Sequence, residues 1–199
     1  MILAKYLVCI RFCILQVMNN SNAHLNLVAL TRDHFAEIIR IVQKQFGGAY
    51  LTLSQMEGIL NKPNGFSVVA LFDDNVVGFV FGQVSTEKEL QKIVCKEKEW
   101  FSEAFSSSFP VGVIETIAVN EDYTGMGIGR RLIQAAEEKL QRQVNVIITI
   151  VWEHPNGTPL ATILTKEGFE NRQTIKEYWS ADSVEKDYDC KYCNTPPCL

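Results

Sequence analysis

The sequence lacks an excess of basic charge, a disulfide framework and a long uninterrupted apolar run. Its 19 basic and 23 acidic residues give a net charge of −4, and its longest basic run is Arg130–Arg131. Because nucleic-acid binders present a basic surface, we expect no nucleic acid as a partner. Six cysteines among 199 residues are too few for a disulfide scaffold, which favours reduced thiols in a cytoplasmic protein.

The first 18 residues are apolar at 15 positions, but Lys5 and Arg11 interrupt them and no small-residue cleavage site follows. A membrane span needs about 20 apolar residues and would bury these cations at roughly 2.5–3.5 kcal/mol each. We therefore expect no membrane partner. Met18 stands before a polar stretch typical of an N-terminus, so we interpret residues 1–24 as an extension and residues 1–17 as dispensable. The alternative is an amphipathic anchoring helix.

The other end carries three cysteines, Cys190, Cys193 and Cys198, after an acidic stretch. The Cys-x-x-Cys pair is half of a zinc site, but a closed structural site needs four ligands and no histidine lies nearby. Zinc ligands and free thiols both remain open interpretations. We assign residues 182–199 to a polar tail and predict no metal.

Between these ends, β-branched runs alternate with segments of helical spacing. The pattern predicts strands at 25–30, 66–72, 76–84, 111–119 and 144–152 and two more after Gly168, with helices at 31–47, 53–60, 86–104, 127–142 and 155–166. No linker or internal repeat divides them. The sequence thus predicts one α/β domain over residues 25–181, with a mixed sheet flanked by helices.

Three alternate glycines, Gly125, Gly127 and Gly129, lie between a predicted strand and a helix. Such a loop exposes backbone N–H groups to an anion, and the helix N-terminus adds partial positive charge. A phosphate or pyrophosphate is the natural ligand. No Lys-Ser or Lys-Thr follows, as a Walker loop requires, and the five residues 120–124 separate the glycines from the strand, unlike a dinucleotide fingerprint.

The stretch from Ile117-Ala118-Val119 to Thr124-Gly-Met-Gly127-Ile-Gly129 resembles the acetyl-CoA motif of the GNAT superfamily of N-acetyltransferases. That motif is roughly R/Q-x-x-G-x-G/A after a strand ending in Ala-Val. Thr124 departs from it, because Arg or Gln is usual there. Downstream, Asn156 and Gly168-Phe169 resemble the family's second motif. The resemblance covers residues 25–181 and implies a GNAT-like acyl-CoA N-acyltransferase fold with one central mixed sheet.

The resemblance further implies an enzyme that transfers acetyl from acetyl-CoA to a primary amine of a small molecule, peptide or protein in a ternary complex. The thioester would lie beside the strand end, where the Val119 N–H would bond its carbonyl oxygen, and the glycine loop would bind the pyrophosphate. The expected acetyl-CoA contacts are Ile117, Ala118, Val119, Thr124, Gly125, Met126, Gly127, Ile128, Gly129, Arg130 and Asn156. A monomer or a homodimer is expected.

Glu115 is the candidate general base, because an ammonium must lose a proton before its nitrogen can attack. It precedes Val119 by four residues on the same strand parity, a position where several family members carry their base. An acid in this apolar strand is costly to bury, which indicates a role. The alternatives are a structural carboxylate and, for the base, His154.

Tyr50 is the candidate acceptor-binding aromatic, together with Glu115. Many relatives carry a tyrosine general acid four residues before Gly-Phe, where this chain has Leu164, so we assign no general acid. A second class of function, a CoA-binding sensor or interaction module without turnover, therefore stays open.

Overall fold

Seven strands form one mixed sheet in the computed structural model, which describes residues 5–12, 24–47, 50–153 and 159–185. The strands are β1 (Lys5–Phe12), β2 (Leu25–Val28), β3 (Gly65–Phe72), β4 (Asn75–Ser85), β5 (Val111–Val119), β6 (Val146–Glu153) and β7 (Glu170–Lys176). Their order across the sheet is β2-β3-β4-β5-β6-β1-β7. Only β5 and β6 pair in parallel; the other neighbours are antiparallel.

Helices cover both faces of the sheet. They are α1 (Phe35–Phe46), α2 (Leu53–Leu60), α3 (Glu87–Ile93), α4 (Lys98–Ala104), α5 (Ile128–Leu140), α6 (Pro159–Lys166) and α7 (Ser180–Glu185). One face packs on α5 and α6 around Leu132, Ile133 and Leu164. The opposite face packs on α1 and α2 at one end of the sheet and on α3 and α4 at the other. The mixed α/β architecture predicted from the sequence is confirmed.

The predicted elements between residues 25 and 153 are mostly found, including a strand over Val111–Val119 and the β3–β4 hairpin. Its turn residues Asp73 and Asp74 have positive φ angles of 47° and 64°, as two-residue hairpin turns require. The single helix predicted over 86–104 is wrong. The segment divides into α3 and α4, because the Cys95 N–H donates to the Tyr178 hydroxyl (3.0 Å) and Glu97 adopts a left-handed φ of 59°.

The chain after Gly168 also differs from the prediction of two final strands. One strand, β7, is followed by a turn and by α7. Tyr178 lies in that turn and is buried in the core beneath α3 and α4, so its side chain anchors the turn rather than a strand.

The N-terminal segment differs most from the prediction made from the sequence. β1 lies inside the sheet, antiparallel to both β6 and β7, and Val8, Cys9 and Ile10 are buried. The expectation that the sheet needs nothing before Leu25 is therefore wrong. A nearly continuous apolar run is typical of a strand that is covered on both faces. The run at residues 144–152 correctly predicted β6 in this way.

Arg11, which interrupts the apolar run, donates hydrogen bonds to one carboxylate and one backbone carbonyl near the end of β1. Its Nη1 donates to Glu137 Oε1 on α5 (2.5 Å) and to the backbone carbonyl of Glu167 after α6. Burial raises the pKa of Glu137 to about 7, although the charge of Arg11 acts in the opposite direction. The cation is thus paired inside the protein rather than placed in lipid.

We expect β1 to be required for stability. Ile10→Ala should lower the free energy of unfolding by about 2–5 kcal/mol, because it empties a buried site. A chain that starts at Met18 should lose more, since β6 and β7 would lose their shared partner. Thermal melting measures both. Leu53→Ala, a truncation at an exposed site, is the control, and equal melting temperatures for all variants would contradict the placement of β1.

Stability should fall with rising pH because of Glu137. Its carboxyl releases a proton near pH 4.5 in the unfolded chain and near pH 7 in the folded protein, so stability present below 4.5 is lost as the pH rises through 7. Glu137→Gln should flatten this slope by the equivalent of a few degrees in Tm between pH 5 and 8. The exposed neighbour variant Glu138→Gln should keep the wild-type slope; a wild-type slope in Glu137→Gln would refute the assignment.

Candidate functional site

The parallel strands β5 and β6 separate at their carboxyl ends. They pair only at Gly112↔Ile147, Val113↔Ile148 and Ile114↔Thr149, although both strands continue beyond these residues. At the last pair the Thr149 hydroxyl donates to the Ile114 carbonyl (3.1 Å). A gap between the strands follows, at the edge of the sheet where open α/β folds bind ligands.

Glu115 is the extra residue of a β-bulge that begins at this point. Phe81 pairs with Thr116 and Gly82 with Ile114, so no residue of β4 stands opposite Glu115. The glycine is required there, because a Cβ on Gly82 would lie 2.2 Å from the Val113 carbonyl oxygen.

The bulge changes which face each β5 side chain occupies. Ile117 and Val119 pack against the α5 core, whereas the Glu115 carboxylate reaches Lys62 just beyond α2, on the opposite face. The prediction that Glu115 shares the parity of Ile117 and Val119 is therefore wrong, since an extra residue shifts the alternation by one.

The Glu115 carboxylate accepts from the Lys62 ammonium, with Oε1 and Nζ 2.9 Å apart. Its side chain is 28% exposed, so the expected cost of full burial does not apply. Lys62 is not predictable from the sequence as the partner of Glu115, because no spacing rule joins residue 62 to residue 115. The site thus holds a solvated ion pair beside the gap.

Tyr50 lies next to this pair. Its hydroxyl is 3.5 Å from Thr116 Oγ1, and its ring packs on Phe46 with centroids 4.8 Å apart. Tyr50 and Glu115 therefore border the same part of β5, as the expected acceptor site requires.

Val119 directs its backbone polar groups into the gap. The Asn120 N–H donates to the Val77 carbonyl of β4 (2.8 Å), and alternation along an antiparallel pair turns the preceding residue to the other side. The Gln45 side-chain amide of α1 donates to the Val119 carbonyl. The Ala118 side chain is buried against α1. Only the backbone groups of Ala118 therefore lie in the plane of the sheet.

The glycine loop closes the gap at the start of α5. Gly125 and Gly127 have φ angles of +80° and +76°, and a Cβ on either would meet nothing within 4 Å. The backbone there borders open space, and the 13-residue helix α5 begins immediately after Gly127. Because L side chains rarely adopt such φ angles, the glycines provide both the backbone conformation and room for an anion.

The remaining loop residues contribute in different ways. Met126 is exposed and Ile128 is buried in the α5 core, which leaves only the backbone of Ile128 for a ligand. Thr124 Oγ1 donates to the Glu121 carbonyl (2.8 Å) and so supports the preceding turn. A Cβ on Gly129 would lie 3.5 Å from Ile163 on α6, an ordinary packing distance.

Arg130 projects from the first turn of α5. Its Nε–H donates to Glu167 Oε1 (2.5 Å), and its side chain is 54% exposed. The sequence does not predict Glu167 as the partner, because it lies 37 residues away, directly after α6.

The position at which many relatives carry a tyrosine general acid holds no ionisable group in this chain. Leu164 is fully buried in the α5–α6 core, and Tyr178 is buried on the opposite face, where burial raises its pKa. Asn156, His154 and the cysteines Cys190, Cys193 and Cys198 lie outside the residues that the structure describes. Over the described residues, none of the helices combines the length and apolar character needed to cross a membrane.

Comparisons with solved structures identify the fold. The GCN5-related N-acetyltransferase from Sphaerobacter thermophilus superposes with a TM-score of 0.63 at 17% identity, over 87% of this chain and 50% of that chain. The present chain thus spans half of that protein. The aminoglycoside N-acetyltransferase AAC(6')-Iy, solved with CoA, gives 0.60 at 18% identity over 79% and 96% of the two chains.

Arabidopsis thaliana Naa50, solved with the bisubstrate analogue CoA-Ac-MVNAL, gives a TM-score of 0.56 at 18% identity, over 78% of this chain and 89% of that chain. No curated protein matches by sequence. The model of the acetyltransferase (GNAT) family matches residues 35–161, a range that holds the β-bulge, the gap between β5 and β6 and the glycine loop. The chain therefore belongs to the GNAT family of acetyltransferases.

Proposed function

We propose that the protein transfers an acetyl group from acetyl-CoA to a primary amine, by direct attack in a ternary complex. The observation that carries this proposal is the gap between β5 and β6, which ends on the open glycine loop. Acetyl-CoA is an elongated molecule that carries its thioester at one end and a pyrophosphate further along, and this shape fits such a gap. AAC(6')-Iy and Naa50, which share the fold, were solved with CoA or a CoA analogue.

The backbone of residues 125–130 would hold the pyrophosphate. Its N–H groups lie in the glycine loop and the first turn of α5, whose N-terminus carries partial positive charge. Gly125 and Gly127 have no side chain that could block the approach. Arg130 adds a full positive charge. Asn156 remains the proposed contact for the pantetheine arm or the 3′-end side of CoA.

The Val119 N–H would bond the thioester carbonyl oxygen. Attack by the amine nitrogen forms an N–C bond and places negative charge on this oxygen, and a fixed N–H donor stabilises that charge. The C–S bond then breaks, the nitrogen releases its second proton to solvent, and the thiolate takes a proton from solvent. Gln45 holds the Val119 carbonyl and thereby fixes the peptide plane at the strand end.

Glu115 would remove the proton from the incoming ammonium. It lies beside the gap, partly exposed to water, so the proton can pass directly or through a water molecule. Lys62 holds the carboxylate at 2.9 Å, and a cationic acceptor would compete with Lys62 for the same oxygen atoms. Tyr50 would contact the body of the acceptor, a small-molecule or peptide amine.

A CoA-binding module without turnover is the second candidate function. The buried Leu164 supports this second candidate. It occupies the position where many relatives carry a general acid, and it has no ionisable group. Release of free CoA thiol across a panel of amines distinguishes the two. Acetyl-CoA binding with no thiol release would favour the module.

Glu115→Gln should lower kcat by roughly 10²–10³, because the reaction loses its general base. The Kd of acetyl-CoA, measured by calorimetry, should stay unchanged. Glu170→Gln is a matched control, since it removes an exposed carboxylate paired with Arg172 on β7. Equal turnover in Glu115→Gln and the wild type would exclude Glu115 as the base.

Gly127→Val should abolish acetyl-CoA binding. A branched side chain would fill the open space of the loop and impose a strain of about 1–3 kcal/mol at positive φ. Calorimetry measures binding, and circular dichroism shows whether the protein still folds. Gly58→Val, also in open space but without a positive φ, should bind normally. Undiminished affinity in Gly127→Val would rule out the loop as the pyrophosphate site.

A further inference from the structure

Glu167 is a buried carboxylate that the proposed reaction does not use. It follows the last residue of α6, and its side chain is only 4% exposed. Oε1 accepts from Arg130 Nε (2.5 Å) and Oε2 accepts from Gln134 Nε2 (2.8 Å). Both donors stand on α5, four residues apart, and therefore on one face of that helix.

The backbone at Glu167 is fixed from a second direction. Its carbonyl accepts from Arg11 of β1, and its N–H donates to the Ile163 carbonyl of α6 (3.0 Å). Gly168 then ends the helix with a φ of +85°. The carboxylate is thus attached to a rigid support formed by the central sheet and two helices.

This position is unfavourable for an acid. The C-terminus of a helix carries partial negative charge, which disfavours a carboxylate, and the acidic Glu137 lies close enough to interact with Glu167 electrostatically. Burial removes hydration as well, so a buried ion pair often adds no net stability. These costs count against a purely stabilising role for Glu167.

The hydrogen bond to Arg130 shows what the carboxylate orients. It engages the Nε–H, and the guanidinium fork presents its Nη groups at the other end of the same rigid plane. The Arg130 side chain is 54% exposed and stands three residues after Gly127, at the helix end that borders the glycine loop. A fork held in this way is suited to bind phosphate oxygens in pairs.

We propose that Glu167 is a positioning residue that holds Arg130 with its guanidinium directed at a phosphate group of acetyl-CoA. This inference rests on the proposed function. Arg130 touches the ligand, and Glu167 acts through Arg130. A clamp between α5 and α6 without a role in binding is the competing interpretation.

Calorimetric titration of the full chain with acetyl-CoA tests the proposal. Arg130→Gln should raise Kd about tenfold, and Glu167→Gln about threefold to tenfold, the net scale of one ordinary hydrogen bond. Arg131→Gln is the control, because it removes the same charge one residue away, where the guanidinium bonds the Leu25 carbonyl (3.4 Å). Its Kd should stay within twofold of the wild type.

A double-mutant cycle separates positioning from clamping. If Glu167 acts through Arg130, Glu167→Gln should add no further loss of affinity in the Arg130→Gln background. The melting temperature of Glu167→Gln is measured beside its Kd, because the amide offers one acceptor oxygen to the two donors Arg130 and Gln134. Titration with dephospho-CoA identifies the phosphate: a persistent effect assigns the pyrophosphate, and a lost effect assigns the 3′-phosphate, with Arg130 oriented by Glu167 in both cases.

Other outcomes would overturn the inference. A lowered melting temperature with unchanged Kd in Glu167→Gln would establish the clamp. If Glu167→Gln does not fold, Arg130→Lys replaces it, since lysine keeps the charge without the Nε–H; an unchanged Kd in that variant would refute the orientation of Arg130. Failure of the wild type itself to bind acetyl-CoA would instead refute the proposed function, and this inference with it.

Discussion

The separation of β5 from β6 is the constraint on which the site depends. Three parallel residue pairs hold the strands together, and beyond Ile114 the bulge at Glu115 changes the course of β5. Strands that part leave backbone groups without a partner strand, a costly arrangement inside a protein unless another group bonds them. Gln45 already bonds the Val119 carbonyl, and the proposed thioester would bond the N–H that faces the same gap.

β1 gives the opposite end of the sheet its continuity. It separates β6 from β7 and pairs with both, so the strand that borders the gap is supported on its other side by the N-terminal segment. Through Arg11, the same strand also bonds the Glu137 carboxylate of α5 and the backbone after α6. The segment that looks most separable in the sequence is therefore connected to the proposed acetyl-CoA site.

Local patterns predicted the elements well, because their information is local. The glycine loop, the strand over Val111–Val119 and the β3–β4 turn each follow from the backbone preferences of a few neighbouring residues. The bulge does not. It arises where Gly82 of β4 meets β5, so strict alternation along β5 assigned Glu115 to the wrong face.

The sequence by itself determined the mixed sheet and the loop suited to an anion, since these depend on hydrophobic periodicity and glycine positions, and its motifs resemble those of the GNAT family. Only the tertiary structure decided the partners of the charged residues: Lys62 for Glu115, and Glu167 for Arg130. These pairs join residues 53 and 37 positions apart, and no local preference encodes such a distance. It also decided the place of β1, because an apolar run shows that a segment is buried but not which strands it lies between.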